Sequence, residues 1–117
     1  MLDLSSIQIG SAKPKALAKF YKKVFKKSAD WEDGDWFGWQ TGSTYFHIGP
    51  HSKVKGKAKE PQRILINFET KQVKREFVRI ADLGAKIIAA PYKMDGMWVA
   101  TFADPDGNYF QLMSPWK

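Results

Sequence analysis

The local patterns in this chain run through once and then start again. An alternating segment at residues 5–10 leads into helical spacing at 14–25, and strand-like stretches cut by turns follow from Trp31 to Ile48. A second alternation at residues 63–68 leads into a second helical pattern, and three further strand-like runs close the chain. Such self-similarity constrains the fold more than composition does, because each copy has to be one supersecondary unit. Each half reads strand, helix, then three strands. The closest local match is Tyr45-Phe46-His47-Ile48 against Tyr109-Phe110-Gln111-Leu112, and Trp36 and Trp98 stand in similar places one strand earlier. This order predicts an α+β fold of two tandem βαβββ modules within a single domain. Module 1 covers about residues 1–50, a linker 51–61, and module 2 about residues 62–117, with helices expected near 14–26 and 71–83.

The element signals are specific. Ile7 and Ile9 alternate with Ser6 and Gln8, as in a half-buried strand. Pro14 suits the first position of a helix, where its missing N–H costs nothing. Leu17, Phe20, Tyr21 and Val24 then recur at helical spacing. Asp33-Gly34 and Gly42-Ser43 mark reversals between strands. In the second half, Ile64, Ile66 and Phe68 alternate from Arg63 onward. Val73, Phe77 and Ile80 give the second amphipathic helix, which Gly84 closes. Lys86 to Ala90 is an apolar run, Asp95-Gly96 a turn, and Asp104-Pro105-Asp106-Gly107 fits a type I turn.

Composition excludes several classes. At 117 residues, with 44% hydrophobic and 15% aromatic content, the chain can build a core and is no disordered tail. It has no cysteine, so neither a disulfide framework nor a thiolate metal site is available. Residues 1–9 carry no charged, long apolar leader, and no run approaches the roughly 18 apolar residues of a bilayer span. A cytoplasmic protein without a membrane partner is expected. The net charge of +7 is concentrated in seven lysines from Lys13 to Lys27 and in Lys53, Lys55, Lys57 and Lys59. Against a phosphate-tracking surface for nucleic acid or an anionic membrane, a plainly solvated helix face followed by a polar loop is the leading reading. No motif for specific nucleic-acid recognition accompanies the charge.

Strand parity separates two faces, since successive side chains point opposite ways. Ile7 and Ile9, Phe46 and Ile48, Ile64 and Ile66, and Phe110 and Leu112 are expected to face their module's helix. The opposite faces then carry Ser6 and Gln8, Tyr45 and His47, Arg63 and Asn67, and Tyr109 and Gln111. A curved sheet with such a polar, aromatic inner face is a ligand cradle.

At this point the chain resembles the vicinal oxygen chelate superfamily of glyoxalase, bleomycin-resistance and extradiol dioxygenase-like proteins. The resemblance covers nearly the whole length. It is carried by Pro14-Lys15-Ala16-Leu17-Ala18-Lys19-Phe20-Tyr21, by Leu83-Gly84-Ala85-Lys86 with Pro91-Tyr92, and most specifically by Asp104-Pro105-Asp106-Gly107-Asn108. These are capping and turn motifs, so they speak for fold rather than chemistry. The resemblance implies curved mixed sheets around a shared cleft and, commonly, a homodimer formed by side-by-side modules or by module exchange. Metal-using members place a ligand on the first and last strand of each module. Carried over, those positions fall at Ser6, His47, Arg63 and Gln111.

That set contains no carboxylate, and Arg63 has no lone pair to give, so neither a metal nor another cofactor is expected. What remains is a constellation for a small anionic or aromatic molecule. Arg63 would fork onto an anion. Ser6, Gln8, His47 and Gln111 would supply hydrogen bonds, and Tyr45 and Tyr109 stacking surface. Trp36, Trp39 and Trp98 would wall the pocket. The structural readings stand beside these: core packing for each aromatic, a satisfied sheet position for His47, and a rim salt bridge with Glu60 for Arg63. A metal-independent binding protein is the leading expectation. The alternative is a lyase, isomerase or dioxygenase-type enzyme of the same superfamily, with His47 as catalytic base or ligand.

Overall fold

In the computed structural model, which describes residues 1–116, the chain forms eight strands and two α-helices. It divides into two compact units within the lysine-rich loop, between Gly56 and Lys57. The first unit contains β1 (Ser6–Ser11), α1 (Pro14–Phe25), β2 (Trp31–Asp33), β3 (Trp36–Thr41) and β4 (Thr44–Pro50). The second contains β5 (Ile66–Glu69), α2 (Val73–Asp82), β6 (Lys86–Met94), β7 (Met97–Ala103) and β8 (Tyr109–Met113). The sheets are ordered β1-β4-β3-β2 and β5-β8-β7-β6. Each is mixed, with a parallel pair (β1 with β4, β5 with β8) and antiparallel hairpins beyond it. The second order is the first with every strand number raised by four. The repeat read in the sequence is therefore a repeat of topology.

Helix α1 begins on Pro14 and buries Leu17, Ala18, Tyr21 and Val24 along one stripe. That stripe packs on the β4 side of its sheet, where the Tyr21 ring lies 4.9 Å from Phe46. Phe25 stands edge-on to Trp39 at 5.5 Å. In the second unit Phe77 stacks on Phe102 at 5.2 Å, and Phe102 on Phe110 at 5.6 Å. Rings at these separations add to what area burial already supplies, about 1.5–3 kcal/mol for each fully buried large side chain. Gly84, at φ +90°, lies just past α2 and donates to the carbonyl of Ala81.

The turns follow their residues. Gly34 and Gly42 both have φ +60° at the first position of two-residue loops, and Asp95 and Gly96 have φ +51° and +81°. These are hairpin geometries whose twist matches the flanking strands. The Asp104 carboxylate accepts from the backbone N–H groups of Asp106 and Asn108, both at 2.9 Å, and Gly107 N–H closes the turn on Asp104 O.

Two expectations need correction. Arg63 to Phe68 is not one strand. Pro61–Arg63 forms a single 3-10 turn, closed by Arg63 N–H on Glu60 O at 3.0 Å, and β5 starts only at Ile66. Pro61 sets the φ of a turn's first residue, and β8 offers partners for only four residues of β5. Ile64, expected against the helix, is 70% exposed. The apolar run at Lys86–Ala90 is the first half of a longer edge strand that bends through register shifts and continues past Pro91 to Met94.

Candidate functional site

The face of the first sheet turned away from α1 carries a row of rings. Parallel pairing sets Ser6 beside Tyr45 and Gln8 beside His47, and antiparallel pairing sets His47 beside Gly38. The His47 ring lies 5.8 Å from Tyr45 on one side and 6.5 Å from Trp36 on the other. Two glycines make the row possible. A Cβ at Gly38 would collide with the Tyr45 ring and hydroxyl, and one at Gly49 would collide with the Trp36 indole. Each ring thus lies flat across a strand position that has no side chain of its own. A glycine inside a strand otherwise weakens it, and here both spaces are filled by an aromatic. Tyr45, His47 and Trp36 are half-buried, so each ring keeps an accessible side, while Ser6 and Gln8 line β1 next to them.

The second sheet offers less. On its face away from α2, Tyr109 and Gln111 from β8 are half-buried. Gln111 Nε2 donates to the hydroxyl of buried Thr101 at 2.9 Å. Asn67 on β5 pairs in register with Gln111. The repeat makes Asn67 to Gln111 what Gln8 is to His47. The corresponding polar positions of the two modules are therefore Gln8 with His47 and Asn67 with Gln111, rather than Ser6 with His47 and Arg63 with Gln111. Asn67 was legible as a polar-face residue, and the parallel register gives its equivalence to Gln8.

Three expected wall and anchor residues lie elsewhere. Arg63, off the strand, holds Glu60 at 3.0 Å with both side chains 71% exposed, so the surface salt bridge is the reading the structure supports. Trp98 shares the parity of Ala100 and Phe102 and faces α2, whose Lys74 Nζ sits 4.0 Å over its ring. Trp39 is buried in the first module's core, with its indole N–H on the carbonyl of Lys27 at 3.0 Å. Trp36 and Trp39 lie three positions apart on β3, an odd step that sends the two indoles to opposite faces.

Neither module's donor set suits a divalent metal. Ser6, Gln8 and His47 give the first one imidazole and no carboxylate, and Asn67 and Gln111 give the second neither. Among the described residues no three His, Asp, Glu or Cys side chains gather closely enough to hold an ion. Neutral amides and a hydroxyl are weak ligands for the metals that favour imidazole and carboxylate.

A family model for a glyoxalase-like domain matches residues 6–113. The chain belongs to the glyoxalase-like domain family. Solved structures with this fold include a conserved domain protein with a TM-score of 0.82 at 18% identity, the match covering 98% of this chain and 100% of that one. A glyoxalase-related enzyme from Fulvimarina pelagi gives 0.80 at 14% identity, covering 98% and 89%. A glyoxalase/bleomycin resistance protein/dioxygenase family enzyme from Burkholderia phytofirmans PsJN gives 0.77 at 25% identity, covering 97% and 98%. No curated protein matches the sequence. The glyoxalase-like chain is thus placed in the vicinal oxygen chelate superfamily that its capping and turn motifs resemble.

Proposed function

We propose that this glyoxalase-like protein binds a small planar aromatic molecule without a metal, on the ring-lined face of its first module. The observation that carries the reading is the Tyr45–His47–Trp36 row seated over Gly38 and Gly49. Three rings on one sheet face offer stacking surface at little conformational cost, because each has few torsions to freeze. Gln8 and Ser6 beside the row supply directional hydrogen bonds that would orient a ligand bearing ring heteroatoms or hydroxyls. An anionic ligand has lost its main support, since Arg63 is held by Glu60 on an exposed turn.

The test is a thermal-shift screen divided into planar aromatics, non-aromatic anions and non-aromatic cations, followed by titration of the best hits against indole fluorescence. Aromatics are expected to raise the melting temperature, and Trp36→Ala to weaken them about five- to tenfold, as the loss of one stacking partner worth roughly 1–1.5 kcal/mol implies. Stabilisation by anions alone, or aromatic binding untouched in both Trp36→Ala and His47→Ala, would overturn the reading.

A further inference from the structure

The outer surface of α1 carries charge of one sign only. Lys15, Lys19 and Lys22 on the helix and Lys26 at its C-cap follow one another at intervals of four, three and four residues. That spacing forms a single ridge about 16 Å long. All four lysines are exposed, and Lys23 is exposed beside them. The helix holds no acidic residue, and none occurs from Ala12 to Ala29. Lys15 reaches Asp35 at 3.7 Å and Lys27 holds Asp30 at 3.0 Å; among the described residues no ion pair involves Lys19, Lys22 or Lys26.

This arrangement costs stability. Like charges four apart on a helix repel, and lysines near the N-terminus oppose the helix dipole. Lys26 also adopts φ +60°, a conformation that favours glycine. The repeat supplies an internal control. Helix α2 has the same place in its module, yet it mixes signs, with Glu76 in its first turn, Arg79 in its last, and the two paired at 2.6 Å. The fold therefore does not require an all-lysine helix surface.

We propose that the α1 ridge is a docking surface for the phosphate backbone of nucleic acid, bound without reading sequence. A line of evenly spaced cations fits a line of evenly spaced phosphates, and lysine meets phosphate as a point charge. An anionic membrane fits less well. The large apolar residues of α1 are turned into the core, and the exposed small residues on that side, Ala12 and Ala16, offer nothing to insert into a bilayer. No aromatic lies on the ridge to stack on bases, so the contact is to backbone alone.

The experiment measures anisotropy of a labelled duplex of arbitrary sequence, titrated with the full chain over a range of salt. With Lys19, Lys22 and Lys26 each neutralising one phosphate, affinity should fall about 40-fold between roughly 50 and 200 mM salt. The triple variant Lys19→Gln, Lys22→Gln, Lys26→Gln should bind about tenfold or more weakly at the lower salt, with a flatter salt dependence. It should melt no lower than the parent, since repulsion has been removed. Replacing the same three lysines by arginine should keep binding, which covers the case of a glutamine variant that does not fold. Replacing Lys53, Lys55, Lys57 and Lys59 by glutamine should leave most of the salt dependence in place. Absence of duplex binding at low salt overturns the proposal. So does equal binding by the folded ridge variant, or binding to phosphatidylserine vesicles but not to duplex.

Discussion

A methyl group at Gly49 has no room, because the Trp36 indole already occupies the space it would fill. Gly49→Ala should therefore lift Trp36 from its seat while the helix side of the sheet stays packed. The expected result is a change in near-UV circular dichroism, a loss of about 1–3 kcal/mol in stability, and weaker binding of aromatic ligands. Gly38→Ala should do the same to Tyr45. If both variants keep the parent's aromatic signals, the rings are not held as described. Arg63→Ala makes the opposite kind of prediction. Its salt bridge is exposed and solvent-screened, so the melting temperature should move by no more than about a degree or two. Anion affinity should not change, by the same screens. At this scale the sequence was partly legible. Parity placed Tyr45, His47 and Gln8 on one face because their strands are regular and paired throughout. The same rule misplaced Arg63, because parity has no meaning in the turn that Pro61 starts.

Among the elements, the two helices were legible because each has one buried stripe, with Pro14 to open the first and Gly84 to close the second. The boundaries that escaped belong to segments fixed by their partners. β5 is short because β8 pairs only four of its residues, and β6 is long because β7 pairs it past Pro91. Trp36 and Trp98 show the same limit. They hold similar places in the repeat, yet a one-residue difference in strand parity sends them to opposite faces. Asp30 ties the end of α1 to β3. Its carboxylate accepts from Gln40 N–H at 2.7 Å and from Lys27 Nζ at 3.0 Å. The Gln40 backbone N–H first, and then Lys27, hold its pKa below the ordinary aspartate value. A carboxyl depressed in the folded state contributes stability above its unfolded pKa and loses it as pH falls through the folded value. The parent and Asp30→Asn should therefore differ in urea midpoint above about pH 4, and the gap should close progressively as pH falls below it. A gap that stays constant down to strongly acid pH would contradict the assignment. In the core, Phe46→Ala should cost about 3–5 kcal/mol, read from the same denaturation curves, because the ring is fully buried among Tyr21, Phe25 and Trp39.

For the whole molecule, we propose a homodimer, supported by apolar residues that the chain leaves uncovered. No helix among the described residues is long and apolar enough to cross a membrane. Leu4 stands just before β1 at 72% exposure, and Ile64 and Leu65 stand just before β5 at 70% and 41%. β1 and β5 are the corresponding edge strands of the two sheets. The repeat therefore puts uncovered apolar residues at matching places in both modules. In each module, exposed apolar residues beside a strand edge are a feature that favours association. A two-fold pair of chains brings one surface onto its own copy, and such closed pairs are the commonest assembly of soluble chains. The proposed homodimer would form by side-by-side modules or by exchange across the polar loop around Gly56. Light scattering on the eluted peak should give twice the 13.4 kDa chain mass at micromolar concentration. Leu4→Glu combined with Ile64→Glu should shift the peak to the monomer, since placing two carboxylates in an apolar contact opposes burial while leaving each module's core untouched. A parent that remains monomeric at high concentration, or a dimer indifferent to both charges, would mean that these residues are not the contact.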